Sequence, residues 1–240
     1  MKNLIRYSLS AAIFSLLFTA GCTNKKTDER LEALEKRIEE LEKKPSVAQR
    51  PQAPPAQEKA YQIPVGTSPV LGKKDATVSV MVFSDGQCPF CKGADDLLRQ
   101  ASNDPELKTK VNFVFKNFPL SFHQNAKPAA KAALAARDAA PSGQGDAKFW
   151  AMMEKVFSDQ QNLTPENFKK WAKEIGVNET KFTEVLKNND GTYEKTIQAD
   201  IDLGTNQAQV RGTPSIYVGG WELRERSVQG IKNLLKEKNL

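Results

Sequence analysis

The sequence predicts an α/β domain with a large helical insertion, carried behind an address segment and a tether. Three observations predict it. Two strand-like runs, residues 77–84 and 111–118, flank a Cys-Pro-Phe-Cys motif that opens a helix. Helical patterning then continues across about residues 122–209. A Gly219-Gly220 hairpin signal and an amphipathic helix over residues 227–238 close the chain.

The first 21 residues read as a signal peptide. Lys2 and Arg6 make a short basic start, and residues 9–20 form an apolar run too short to span a bilayer comfortably. Ala20-Gly21 before Cys22 resembles the bacterial lipobox, whose cysteine is diacylated and becomes the mature N-terminus. Thr19 departs from the leucine usual in that motif. Plain cleavage, with Cys22 incidental, is the competing reading. Thr23 rather than Asp after the cysteine resembles lipoproteins sorted to the outer membrane, if the source is Gram-negative.

Residues 22–44 join this anchor to a short helix. Thr27 can cap it, Asp28 and Glu29 suit its first turn, Lys43 and Lys44 its last, and Pro45 stops it. Leu31, Leu34, Ile38 and Leu41 fall at heptad a and d positions, with Glu35 and Glu42 at e and Arg37 and Lys44 at g. Two heptads are marginal in water. Residues 28–44 are therefore either a solvated spacer or the seam of a homo-oligomer helped by tethering. Five prolines in residues 45–64 allow no core and predict a semi-rigid linker.

Residues 65–240 form the folded domain. The run 77–84 is mostly apolar and β-branched, as in a buried strand. Cys88-Pro89-Phe90-Cys91 leads into a helix ending near Ser102, and residues 111–118 alternate apolar and polar as a second strand. Within the insertion, helices are expected over 126–140, 146–160, 178–188 and 192–209, with another opened by Thr164-Pro165 and ended by Gly176. The formal charge of +6 falls to +4 once residues 1–21 are removed, and no basic block stands out. A nucleic-acid partner is not supported.

The cysteines carry the chemistry. There are three, Cys22, Cys88 and Cys91; one lipidated and two in a C-x-x-C pair account for the odd count. Thiol–disulfide exchange needs an exposed thiolate and a second thiol that releases the mixed disulfide. At a helix start, Cys88 meets free N–H groups and the positive end of the dipole, which favour its anion. Pro89 suits the first helical position, where its missing N–H is not needed. Cys91, one turn further in, is the resolving thiol. A zinc site would need two more ligands, with only His123 left as a strong nitrogen donor, and a structural disulfide would close a loop of little value. No metal or bound cofactor is expected; the Cys88–Cys91 disulfide is itself the redox group.

Three stretches, FSDGQCPFCKGADDLL (83–98), FKNFPLSFHQNAKPAAKAALAA (115–136) and VRGTPSIYVGG (210–220), resemble the disulfide-bond protein A (DsbA) family. The resemblance covers roughly residues 61–240. It implies a thioredoxin-like fold with an inserted helical domain. It also implies exchange with cysteine-containing exported proteins and recycling by a membrane redox partner. Pro214 is then expected to be cis and to face the C-x-x-C, presenting the Thr213 backbone to an extended substrate; locally, an ordinary turn proline fits as well. Many members place a buried acid six residues before the first cysteine, where this chain has Val82. Asp85 is nearer but is expected to point elsewhere, which leaves Lys116 and Glu222 as candidate substitutes. Strongly oxidising members carry Pro-His where this chain carries Pro89-Phe90, which implies a milder oxidant. His123 is expected to pack or to cap a helix rather than to act in catalysis. Phe90, Phe118, Phe122 and Trp150 either form an apolar surface for unfolded substrates or, for all but Phe90, pack in the core.

The expected function is dithiol oxidation of exported proteins by a lipid-anchored, periplasm-facing protein of the bacterial envelope. Thr213 before the proline resembles isomerase-type members, so isomerase or reductase activity is the first alternative. A chaperone-like binding lipoprotein is the second.

Overall fold

The central pair of strands is parallel. β2 (Val78–Ser84) and β3 (Val111–Asn117) run side by side from Val78 opposite Val111 to Ser84 opposite Asn117. Parallel neighbours need a crossover, and α1 (Pro89–Asn103) supplies it. β4 (Ser215–Val218) pairs antiparallel with β2, and β5 (Trp221–Glu222) with β4. Gly219 and Gly220 join them with φ of 56° and 87°, the left-handed values this two-residue turn requires. A further strand, β1 (Val70–Gly72), lies antiparallel on the outer side of β3. Three residues carry no readable periodicity, so the sequence gives no sign of β1; pairing creates it. The sheet order is β1-β3-β2-β4-β5.

This computed structural model describes residues 30–37 and 59–240. The expected signal peptide, Cys22, most of the expected seam over residues 28–44 and most of the expected linker over residues 45–64 lie outside the described residues. Residues 30–37 are helical, with Leu31 and Leu34 exposed. Among the described residues no helix is long and apolar enough to cross a membrane.

Between β3 and β4 come α2 (Ala126–Ala139), α3 (Gly145–Ser158), α4 (Pro165–Glu174), α5 (Glu179–Asn188) and α6 (Asp190–Asp202). A π-helical turn, Leu203–Gln207, ends the series where a longer α-helix is expected. Gly204 in that turn presses on Phe83 and Phe118, and a Cβ there would come within 3 Å of both rings. Thr164 caps α4 by accepting from the Asn167 N–H, and Asn178 caps α5 by accepting from Lys181. The last helix, α7 (Val228–Glu237), is capped by Ser227.

The sheet is buried on both faces. Val78, Val80, Val82, Phe113 and Phe115 point to one face, which α1, α3 and α7 cover. Met81, Phe83, Val114 and Tyr217 point to the other, under Tyr61, Ile63, Val65 and Val210. Tyr61 is anchored by its N–H to the Gly220 carbonyl, so the domain begins inside the stretch that composition reads as linker. The alternation of residues 111–118 also misleads. All seven residues of β3 are buried. The polar ones survive burial by bonding individually: Asn112 donates to the Lys73 and Lys74 carbonyls, and Asn117 to Asp200.

Candidate active site

Cys88 is the N-cap of α1, with extended backbone (φ −72°, ψ 121°) and Pro89 in the first turn. Its Sγ donates to the Thr213 carbonyl at 3.4 Å. The Thr213–Pro214 peptide is cis. Arg226 donates to the Pro214 carbonyl at 2.9 Å, and the Ser215 hydroxyl to Gly212 at 2.8 Å, so the loop opposite Cys88 is fixed from both sides. Both cysteines are free thiols. Cys88 is only 4% exposed, less open than the exchange chemistry leads one to expect, because the Thr213 segment lies against it.

Cys91 lies one turn into α1 and is fully buried. Burial pushes its thiol up to about 12. The Ser84 hydroxyl, the Asp85 backbone N–H and the Thr213 hydroxyl favour its anion, and the neighbouring Cys88 opposes it.

The two substitutes for a buried acid are corrected. Side chains alternate along a strand, so Lys116 shares the face of Val114, and Glu222 that of Tyr217 opposite it. Both lie across the sheet from Cys91, whose cluster contains Val82. Lys116 donates to the Val65 carbonyl at 3.2 Å and the Ser68 hydroxyl at 2.8 Å, and lies 3.6 Å from Asp200. Burial pushes Lys116 down and Asp200 up, and their mutual attraction offsets this only in part.

Asp85 points away from Cys91, as expected, but into the turn that carries Cys88. Its Oδ1 accepts from the Gln87 and Cys88 N–H groups at 2.7 and 3.1 Å. Its Oδ2 accepts from the Leu120 N–H at 2.7 Å and meets His123 Nδ1 at 2.8 Å. His123 therefore partners Asp85 through its ring, a role beyond the packing or capping read from the sequence. Phe118 and Trp150 are buried, but Phe122 is 72% exposed, because it sits in the turn before α2 with its ring edge-on to His123. Phe90 is 76% exposed. Sequence reasoning also missed Gln160, which donates to the Gly86 and Cys88 carbonyls. An Asp two and three residues before the N–H groups it binds is a readable local signal; nothing local marks Gln160.

A family model described as "Thioredoxin" matches residues 65–237. The chain belongs to the thioredoxin family. It is 33% identical over 159 residues to disulfide bond formation protein D of Bacillus subtilis (strain 168), covering 62% of this chain and 67% of that protein. It is 32% identical over 152 residues to the Na(+)/H(+) antiporter NhaA 1 of Salinispora arenicola, covering 63% of this chain but only 21% of that protein. The chain thus spans about a fifth of the length of such antiporter relatives. Among solved structures it is similar to oxidised BdbD from Bacillus subtilis, with a TM-score of 0.63 and 27% identity over 76% of this chain and 98% of that one. In thioredoxin-family terms, β2, α1, β3 and the β4–β5 hairpin form the fold around Cys88, and α2–α6 are its insertion.

Proposed function

We propose that this chain is a thiol–disulfide oxidoreductase of the bacterial envelope that oxidises cysteine pairs in exported proteins. The observation that carries the reading is the placing of Cys88 at the head of α1, its Sγ 3.4 Å from the carbonyl before Pro214, above the buried Cys91. The relative named disulfide bond formation protein D supports the direction.

In the oxidised protein a substrate thiolate attacks Cys88 Sγ. The Cys88–Cys91 bond breaks, and Cys91 leaves with the electron pair and takes up a proton, which its buried site favours. A second substrate thiolate then attacks the substrate sulfur of the mixed disulfide and releases Cys88. The substrate gains one disulfide, and the pair, reduced by two electrons, is reoxidised by a membrane redox partner. In reverse, Cys91 attacks the mixed disulfide and frees the substrate. Pro89 and Phe90 shape the motif, and Thr213 and cis Pro214 offer an extended substrate the backbone edge beside Cys88. No further cofactor is required.

Cys22 is the proposed lipid attachment, holding the domain on the periplasmic side of a membrane, and residues 28–44 the proposed oligomer seam. Mass spectrometry of the mature N-terminus tests the first, and sedimentation over a concentration series the second. The function itself is tested by equilibrating the Cys88–Cys91 couple with glutathione. A potential of about −120 to −180 mV supports an oxidant or isomerase, and one near about −270 mV a reductase. Thr213 before cis Pro214, the residue that resembles isomerase-type members, favours isomerisation as the second reading, and reactivation of scrambled ribonuclease separates the two.

A further inference from the structure

The turn that presents Cys88 is gripped from two sides by side chains far apart in sequence. Asp85 takes the N–H groups of Gln87 and Cys88. Gln160, in the segment after α3, gives its amide N–H to the carbonyls of Gly86 at 3.0 Å and Cys88 at 2.8 Å. The Gly86–Gln87 peptide is thus held at its carbonyl by Gln160 and at its N–H by Asp85. Cys88 is likewise held at both its N–H and its C=O. The grip of Asp85 is itself fixed. Asp85 is 1% exposed and its second oxygen is tied to Leu120 and His123. The insertion presses on the same turn: a Cβ on Gly86 would meet Val156 at 2.9 Å and Ala129 at 3.2 Å.

These contacts fix the two peptide planes that flank Cys88, and those planes set where its Sγ points. The Cys88 side chain makes no cap bond to the helix, and the backbone bonds from its N–H to the Asp85 carbonyl and from the Cys91 N–H to its own carbonyl share the hold with Asp85 and Gln160. We propose that Asp85 and Gln160 are positioning residues that jointly set the reactivity of Cys88, with Gln160 tying the nucleophile to the helical insertion. The inference rests on the reading of Cys88 as the nucleophile. Attack on a disulfide needs the sulfur aligned with the bond it breaks, and small misplacements of a reacting group are costly in rate.

The test uses the full chain carrying Cys91→Ala, so that Cys88 alone reacts. Its rate with iodoacetamide and with a small aromatic disulfide is measured on the pH plateau where Cys88 is fully ionised, which removes effects on ionisation. Thermal midpoints are recorded alongside. Gln160→Met and Asp85→Asn should each slow the disulfide reaction about fivefold, the effect one hydrogen bond carries. The double variant should be slowed by less than the product of the two. Gln160→Glu keeps the size without the donor and replaces Gln160→Met if that variant does not fold. Tyr193→Phe is the control: it removes a hydrogen bond to Asp138 within the insertion and should lower the midpoint while leaving the rate unchanged.

Parent-like rates with lowered midpoints in the Gln160 and Asp85 variants would make the contacts purely structural and overturn the inference. Effects that simply multiply would overturn the joint grip. A parent Cys88 that reacts with neither reagent would instead sink the functional reading on which the inference stands.

Discussion

The two faces of the sheet solve burial in opposite ways. On the face under α1, the groups around Cys91 are apolar side chains, Val82 among them, with hydroxyls and the Asp85 N–H. On the other face a lysine and an aspartate are buried together, with side chains only 4% and 10% exposed. The difference teaches where charge is tolerated. Lys116 and Asp200 satisfy each other and the Val65, Ser68 and Asn117 groups around them, whereas a charge beside Cys91 would find two hydroxyls and one backbone N–H but no opposite charge. Cys91 is therefore governed by burial, not by a neighbouring acid.

The largest effect expected from this contrast is on stability. Asp200→Ala leaves Lys116 and the Asn117 N–H buried without their partner, and should cost about 3–5 kcal/mol in urea unfolding. The glutathione equilibrium of the cysteine pair should stay within about twofold of the parent value, because the sites share no partners. A shifted equilibrium would mean that the faces are coupled through β2 and β3, and the comparison would fail.

The second way to break the comparison is to place an acid on the face of Cys91. Val82→Glu places a carboxyl at a site 2% exposed, and should cost about 1–3 kcal/mol at neutral pH. Desolvation raises the folded pKa of such a group. The cost should therefore be smallest below the ordinary glutamate value of about 4.3 and grow as pH rises through the raised folded value. Chevron or melting data at pH 4 and pH 7 measure it. A variant as stable as the parent at both would show that this face accommodates charge after all.

How far the sequence reveals these arrangements depends on whether the determinant is local. Strand β2, α1 with Pro89 in its first turn, the caps Thr164 and Ser227 and the Gly219-Gly220 turn are all set by neighbouring residues, and all are readable. The face of Lys116 is not. Its strand alternates like a half-exposed one, and only the segment near Tyr61 to Ser68, folded across it, makes both faces interior. Glu222 is misjudged for a related reason, since its face follows from pairing with Tyr217. At the site, the cysteines stand out as a motif, and Pro214 only through the family resemblance. The hold of Asp85 on Leu120 and His123, and of Gln160 on the turn, spans 35 to 74 residues and leaves no local trace.

The smallest expected effect isolates the buried thiol itself. In Cys88→Ala, Cys91 is the sole cysteine of the domain and keeps its buried site. Its pKa is raised on folding, from about 8.5 in an unfolded chain to about 12 in the reduced parent. A group raised on folding contributes stability that is fully present below the unfolded value and is lost as pH rises towards the folded one. Cys88→Ala should therefore lose about 1 kcal/mol between pH 8.5 and 9.5, relative to Cys88→Ala/Cys91→Ala over the same interval. Both proteins share every lysine and tyrosine, so their difference reports Cys91 alone. Parallel pH profiles would mean that the Ser84 and Thr213 hydroxyls offset the burial. Control of this thiol would then pass from the apolar face to those two residues.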